Sequence, residues 1–463
     1  MKKIYVLMLA GLLFGGCNDF ADDINVNPNK PSVASGTQLI ANAEFYLPGL
    51  NSAPQGEFFS QHLAETLYPG ASLYNTVNFN YYGLYSGPLM NLETVLNTDD
   101  LDAKEGPVNN QLAVAKILKA YFFWNITDRW GDVPYSEALK GDDNFTPKYD
   151  TQEAIYNNLF QLLEEANSMV VPGKISNDIV YGGDAGKWQK LANTLRLLMA
   201  LRLSEVDATK AQAEFNKALE AGTMTSNGDN FVYKHLPEEV NENYWYSQVG
   251  RQKRLWWALS ENLVDHMKPV EDPRLPVFGN KNEEGYYVGL EYGKAEASNE
   301  SKYSLLGTAI WKQDAPVYLV TYAQVLFAKA EAAKRGWIPG GDVAAADFYK
   351  EAISLSVLQW TGTTTGVSEL LTQPGVAFEP AKAIEQIATQ RWIHLFMNGY
   401  EAWAEWRRTG YPDLSAASGG KQVPTRQGYP TEEQFNNTAN YNEAVQRQFG
   451  GTDGLYGQLW WDK

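Results

Sequence analysis

Apolar side chains that return every three or four residues, in stretches that come two by two, constrain this chain more than any other feature. Leu112, Ala115, Leu118, Phe122 and Ile126 form one stripe; Leu319, Ala323, Leu326, Ala330 and Ala333 form another. Ile384, Ala388, Trp392, Leu395, Gly399, Trp403 and Trp406 extend a third over about six turns. That period predicts helices that each bury one face, so each needs a neighbour. The neighbours follow in sequence. Leu319 to Trp337 is followed, after Pro339-Gly340-Gly341, by residues 344–355, and Trp188 to Glu205 is followed by 211–222. Gln111 to Thr127 with Gln152 to Ala166 makes a third pair, and Ala381 to Arg407 opens a fourth.

In AQAEFNKALEAG and AAADFYKEAISL, small residues stand at close-approach positions and an aromatic precedes an alanine, as in the tetratricopeptide helix-turn-helix unit that they resemble. Spacing between the pairs is irregular and long inserts interrupt them. The expected fold is therefore mainly α: a tetratricopeptide-like helix-pair scaffold with a second, loop-rich face. No Pro/Ser-rich linker or charge block follows residue 40, which favours one domain over residues 37–463. The loop-rich parts are 225–254 and 270–316, with short strands expected around Gly285 to Tyr292. Trp256 and Trp257 are expected to open a helix running to His266, and GGDAGKW (182–188) to cap the Trp188 helix.

The only cysteine is Cys17, at the end of a pattern that explains it. Met1-Lys2-Lys3 is basic, Ile4 to Phe14 is apolar, and Gly15-Gly16 leave room for a peptidase. The apolar run is too short to span a bilayer and reads as a signal peptide, residues 1–16. Cleavage before Cys17 would free its amino group and sulfur for acyl chains, as in a bacterial lipoprotein; the plain alternative is a secretory signal with an incidental cysteine. Residues 17–36, ending in the turn-rich NVNPNKPSVASG, then form a tether. The acidic run after Cys17 resembles the surface-export signal of Bacteroidota lipoproteins.

Net charge is −17, and −19 once Lys2 and Lys3 leave with the signal. Such a surface repels phosphate backbones and anionic headgroups, which argues against nucleic acid and against any membrane contact beyond the lipid. His62, His235, His266 and His394 are scattered without metal-ligand spacing, and no GxSxG occurs. GGDAGKW lacks the phosphate-loop spacing. Asn227, Asp229 and Asn230 read as an Asn-Gly turn, with calcium as the alternative. Nothing points to a cofactor. The nearest carboxylate pairs for a glycosidase are Asp128 with Asp132 and Glu401 with Glu405, each beside arginines that supply a structural reading.

Seven stretches together resemble the SusD/RagB-like lipoproteins, in particular the second SusD-like subgroup. They are VNPNKPS (26–32), AKILKAYFFWNITDRWGDVPYSEAL (115–139), PKYDTQEAIYNNL (147–159), YGGDAGKWQKLANTLRLLMALRLS (181–204), DPRLPVF (272–278), AQVLFAKAEAAKRGW (323–337) and QRWIHLFMNGYEAWAEWRRTGYP (390–412). They stand in family order along nearly the whole chain. The resemblance implies four tetratricopeptide-like pairs, an anchor on the outer face of the outer membrane, and a SusC-like TonB-dependent barrel as partner. It implies a lid that captures nutrient, usually oligosaccharide, without being an enzyme.

These motifs read as scaffold and do not locate the ligand. Sugars stack apolar faces on aromatic rings and need amide, carboxylate or guanidinium partners for their hydroxyls. NENYWYSQVGR (241–251) fits that requirement through Asn243, Tyr244, Trp245, Tyr246, Gln248 and Arg251. YPGASLYNTVNFNYY (68–82) follows with Tyr74, Asn75, Asn78, Tyr81 and Tyr82, and Trp311 is third. For each the competing reading is an aromatic that pins a loop to the scaffold. A glycan is the expected ligand. A peptide, a surface glycan hydrolase and a purely structural lid are the alternatives.

Overall fold

The computed structural model describes residues 34–294, 296–414 and 421–462. Cys17, the signal and most of the tether lie outside the described residues. Eight helices, labelled α1 to α8, carry the scaffold: Val108–Trp130, Gln152–Met169, Ala185–Arg202, Ala208–Ala221, Tyr322–Lys334, Gly341–Thr361, Ala383–His394 and Gly399–Thr409. Consecutive helices pack as pairs, α1 on α2, α3 on α4, α5 on α6 and α7 on α8, and α2/α3, α3/α5 and α5/α7 join one pair to the next. Alanines permit the close approach: Ala328, Ala330, Ala332 and Ala333 of α5 and Ala345 and Ala352 of α6 are buried. The helix starts are set by side chains. Asp184, capping α3 from the GGDAGKW turn, accepts from the Lys187 N–H, and Thr321 and Gln324 form a reciprocal capping box on α5.

A buried ionic cluster ties five helices together. Arg202 of α3 reaches Asp128 of α1 (3.2 Å) and Glu401 (2.6 Å) and Glu405 (2.5 Å) of α8. Arg391 of α7 meets the same two glutamates at 3.2 and 3.0 Å, and Arg408 bridges Glu405 and Glu331 of α5, each at 2.7 Å. Burial opposes ionisation of Glu405, but Arg391, Arg408 and Arg202 together hold its carboxyl well below the ordinary range. For Glu401 burial prevails and its carboxyl is raised.

Four expectations change. The stripe from Ile384 to Trp406 is two helices, because the chain breaks at Leu395–Asn398, where Met397 takes φ +63°. The break is held by buried Glu57, which accepts from the N–H groups of Met397 (3.3 Å) and Gly399 (2.7 Å). Four residues are about one turn, so the apolar phase survives the break and hides it from the sequence. Leu319 belongs to a strand, not to the helix that follows it. Trp257 likewise opens a strand, and the helix after it, Glu261–Met267, starts at the cap Ser260. Gly285 to Tyr292 forms no strand, only a bridge between Leu290 and Ser260.

Short antiparallel strands shape the loop-rich face. β1 (Leu63–Glu65) pairs with β5 (Trp257–Leu259), β2 (Val133–Pro134) with β3 (Tyr149–Asp150), and β4 (Phe231–Tyr233) with β6 (Val317–Val320). Under this face lies an aromatic core that includes Phe59, Trp245, Trp257, Phe278, Trp392 and Trp403.

Candidate functional site

The β1/β5 pair brings together two segments nearly 200 residues apart. Its register sets Glu65 opposite Trp257, and the Thr66 N–H donates to the Trp256 carbonyl at 2.9 Å. The loops leaving the two strands therefore start side by side. Tyr68, 56% exposed, meets the half-buried Trp256 edge to face, with centroids 5.1 Å apart. Leu67 and Leu255 beside them are also exposed. The Arg254 guanidinium lies 5.7 Å from the Trp256 ring, and Trp256 packs on Trp257 at 5.2 Å. Here an open aromatic surface stands beside a cation and a carboxyl.

The carboxyl is that of Glu65. Burial raises it to about 7, against the pull of the Trp257 and Trp256 indoles. Arg254 and Glu65 both act on the half-buried Tyr244 hydroxyl, which burial also raises. The group thus holds hydrogen-bonding side chains of both signs next to flat rings, the combination that a saccharide requires.

Behind the platform the segment 241–251 separates two hollows that share Ser52. One, about 330 Å³, lies against Trp245 and Trp360. The other, about 720 Å³ and more open, lies against Tyr233, Tyr244 and Arg251.

The residues expected from sequence divide sharply. Asn243 is a buried staple: its side-chain N–H donates to Ala315 O (3.0 Å), its backbone N–H donates to Gln313 O (2.9 Å), and its Oδ1 accepts from Trp245 N–H (2.8 Å). Trp245 is 2% exposed, between Tyr244 and Trp257. Tyr246 packs over Gly250, and buried Gln248 accepts from Arg254. Arg251 is exposed and paired with Glu239 and with Glu242 (2.6 Å).

The earlier stretch is scattered. Tyr74 is buried and accepts from Gln61 (3.1 Å), while the Asn75 side-chain oxygen accepts from Lys421 (2.7 Å). Asn78 donates to Tyr429 O, Tyr81 is buried beside Tyr149, and Tyr82 donates to Glu433 (2.5 Å) in a separate hollow of about 340 Å³. Trp311 donates to Leu306 O at 3.1 Å and packs on the core. Tyr68, Trp256, Glu65 and Arg254 were missed. Tyr68 had a signal, a ring in a Tyr-Pro-Gly turn where no helix claims it; Trp256 was hidden by its assignment to a helix.

The acid pairs are engaged elsewhere. Glu401 and Glu405 belong to the ionic cluster, Asp128 also accepts from Trp461 (3.0 Å), and Asp132 binds Arg447 at 2.7 Å. Among the described residues no group of three or more His, Cys, Asp or Glu is placed to hold a metal, and Asp229 is taken by Lys190 (2.9 Å) and Thr225. His394, buried and held low at about 3 by burial and by Arg274 and Arg391, bonds Thr321 and Ser356.

Residues 28–430 match the family model described as starch-binding and associating with the outer membrane, SusD-like. This chain belongs to the SusD-like family. A solved chitin-binding protein is 30% identical, with a TM-score of 0.78 over 92% of this chain and all of that one. A SusD homologue from Bacteroides fragilis is 26% identical, with a TM-score of 0.80 over 93% of this chain and all of its own. A chitin-binding SusD homologue from Flavobacterium johnsoniae, at 24% identity, shares the fold with a TM-score of 0.76 over 92% and 98% of the two chains. No curated protein matches. Membership makes this SusD-like chain one of a nutrient-binding, outer-membrane-associated family of helical, tetratricopeptide-containing proteins. Among the described residues no helix is long and apolar enough to cross a membrane.

Proposed function

We propose that this SusD-like protein is a non-enzymatic glycan-binding lipoprotein of the outer cell surface, which hands its ligand to a SusC-like TonB-dependent barrel. The observation that carries the reading is the Tyr68–Trp256 platform with Glu65, Arg254 and Tyr244 around it. The chitin-binding relative at 30% identity supports a saccharide as the ligand class. The binding role is supported by the acids themselves. A glycosidase needs two carboxyls on either side of a bond, and all four candidates here are committed to partners inside the scaffold.

Calorimetry with the soluble form starting after Cys17, against plant, host and microbial polysaccharides and mixed peptides, tests the proposal. Saturable glycan binding, weakened in Tyr68→Ala and Trp256→Ala, is the expected result. Peptide binding alone, or product release from labelled oligosaccharides, would sink it. The anchor is tested apart: Cys17→Ala releases the protein from membranes and abolishes its acylation if the lipid is attached there.

A further inference from the structure

The hollow against Trp245 differs in chemistry from the open platform. Trp245, Trp360, Phe396, Val277 and Ile310 give it apolar walls. The Trp360 indole N–H already donates to His394 O (3.2 Å) and the Asn243 amide is occupied, so both present mainly carbon. Polar groups complete the lining. Ser52 is buried, and neither its hydroxyl nor that of Tyr318 has a partner among the described residues. Gln359 adds an amide whose oxygen only weakly accepts from Asn230 (3.4 Å). Lys312 and Asp314 stand exposed at the rim, on a turn pinned by the bond from Asn243 N–H to Gln313 O.

At about 330 Å³ the chamber is at the small end of ligand pockets and holds one ring or a substituent rather than a chain. An unsubstituted pyranose carries hydroxyls around its whole rim, and those turned toward Trp245, Val277, Ile310, Trp360 and Phe396 would face carbon without partners. A free ammonium would suffer more. An N-acyl group suits the walls and the polar end together: its methyl packs on indole and phenyl, its carbonyl accepts from a hydroxyl or amide, and its N–H donates to one.

We propose that the chamber formed by Trp245, Trp360, Phe396, Ser52, Tyr318 and Gln359 is an acyl-recognition subsite that takes the acetamido group of an N-acetylated sugar. The inference rests on the glycan reading and narrows it to acylated saccharides. It concerns a site separate from the platform, two ring contacts away: Trp256 to Trp257 at 5.2 Å and Trp257 to Trp245 at 5.3 Å.

Ala309, exposed at the mouth, offers a way to close the chamber without touching the core. Wild type, Ala309→Trp and Trp256→Ala are titrated with an N-acetylated chito-oligosaccharide, its de-N-acetylated counterpart and a cello-oligosaccharide of equal length. Wild type should prefer the acetylated ligand at least tenfold, and Ala309→Trp should erase that preference while leaving the cello-oligosaccharide affinity unchanged. In saturation-transfer spectra of N-acetylglucosamine the acetyl methyl should receive the strongest transfer in wild type and Trp256→Ala, and lose it in Ala309→Trp. Equal affinity for the three ligands, or a preference that survives Ala309→Trp, overturns the subsite and leaves the glycan reading intact. Absence of binding to all three and of methyl transfer overturns the subsite, while the wider polysaccharide panel decides the glycan reading.

Discussion

Two tryptophans eleven residues apart should respond to truncation in opposite ways. Trp256 is half-buried and offers a ring to solvent beside Tyr68, whereas Trp245 is 2% exposed within the aromatic core. A sugar face covers roughly 80 Å² of ring, up to half of what an aromatic side chain can bury. At ~25 cal/mol per Å² that contact contributes about 2 kcal/mol, so Trp256→Ala should weaken the Kd about 30-fold. Its stability cost is about 1 kcal/mol, because much of the ring is already wet.

Trp245→Ala instead removes a packed indole, at about 3–5 kcal/mol. With an unfolding entropy of about 2.1 cal/mol/K per residue, a chain of this length loses about 4 °C in Tm. Because Trp245 also lines the chamber assigned above to an acetamido group, calorimetry with a panel glycan that carries no N-acyl group and saturates wild type, alongside differential scanning calorimetry of each variant, separates the two effects. The reasoning is refuted if Trp256→Ala binds like wild type while Trp245→Ala loses binding at an unchanged Tm. That pattern would make 241–251 the primary ligand segment.

Three further variants test the physical account. Glu65 has its carboxyl raised from 4.5 to about 7 in the fold, so the native state binds more protons between those values and stability falls as pH rises through them. The window is worth at most about 3 kcal/mol before solvent screening is discounted; Glu65→Gln should therefore raise Tm at pH 8 and converge with wild type below pH 4.5, and a constant gap would contradict the shift. Glu405→Gln strips a carboxylate from Arg202, Arg391 and Arg408 and should cost about 3–5 kcal/mol in urea unfolding, a loss absent if those arginines find water instead. A Cβ on Gly399 would stand 2.2 Å from the Gly56 backbone, where neither chain can yield. Gly399→Ala should cost about 1–3 kcal/mol by overpacking, and an unchanged midpoint would mean that the two backbone segments can part without loss.

The scaffold was legible because packing imposes a period. Ala323, Ala330 and Ala333 face a neighbour and say so in their spacing, and Asp184 announces the helix that it caps. What failed was local competition within that period. The stop at Met397 is written in Glu57, some 340 residues away, and no window over 384–406 contains it. The site was harder for a related reason. A Trp or Tyr outside a helical stripe looks the same whether it pins a loop or meets a ligand, and only the β1/β5 register decides. That register turned Trp257 inward and left Trp256 at the surface, although the two are adjacent and chemically identical. Successive strand side chains point to opposite faces, so one residue of register separates core from platform.

The same geometry says which parts of the molecule can change independently. Glu65 faces Trp257 through a backbone ladder, and Thr66 extends it to Trp256 through a main-chain bond, so no side chain at positions 68 or 256 is needed to hold the two loops together. Below the ladder, Trp257 is fixed by Trp245, and Asn243 staples the next segment to the 313–315 turn. The ionic cluster that locks the helices lies among α1, α3, α5, α7 and α8 and uses none of the platform residues. Residues at 68 and 256 can then be rewritten at little cost to the fold, whereas 243, 245 and 257 cannot. A loop-rich face built on a short strand pair lets one helical scaffold present different surfaces to different ligands, which is why the motifs that identify the family are silent about what this member binds.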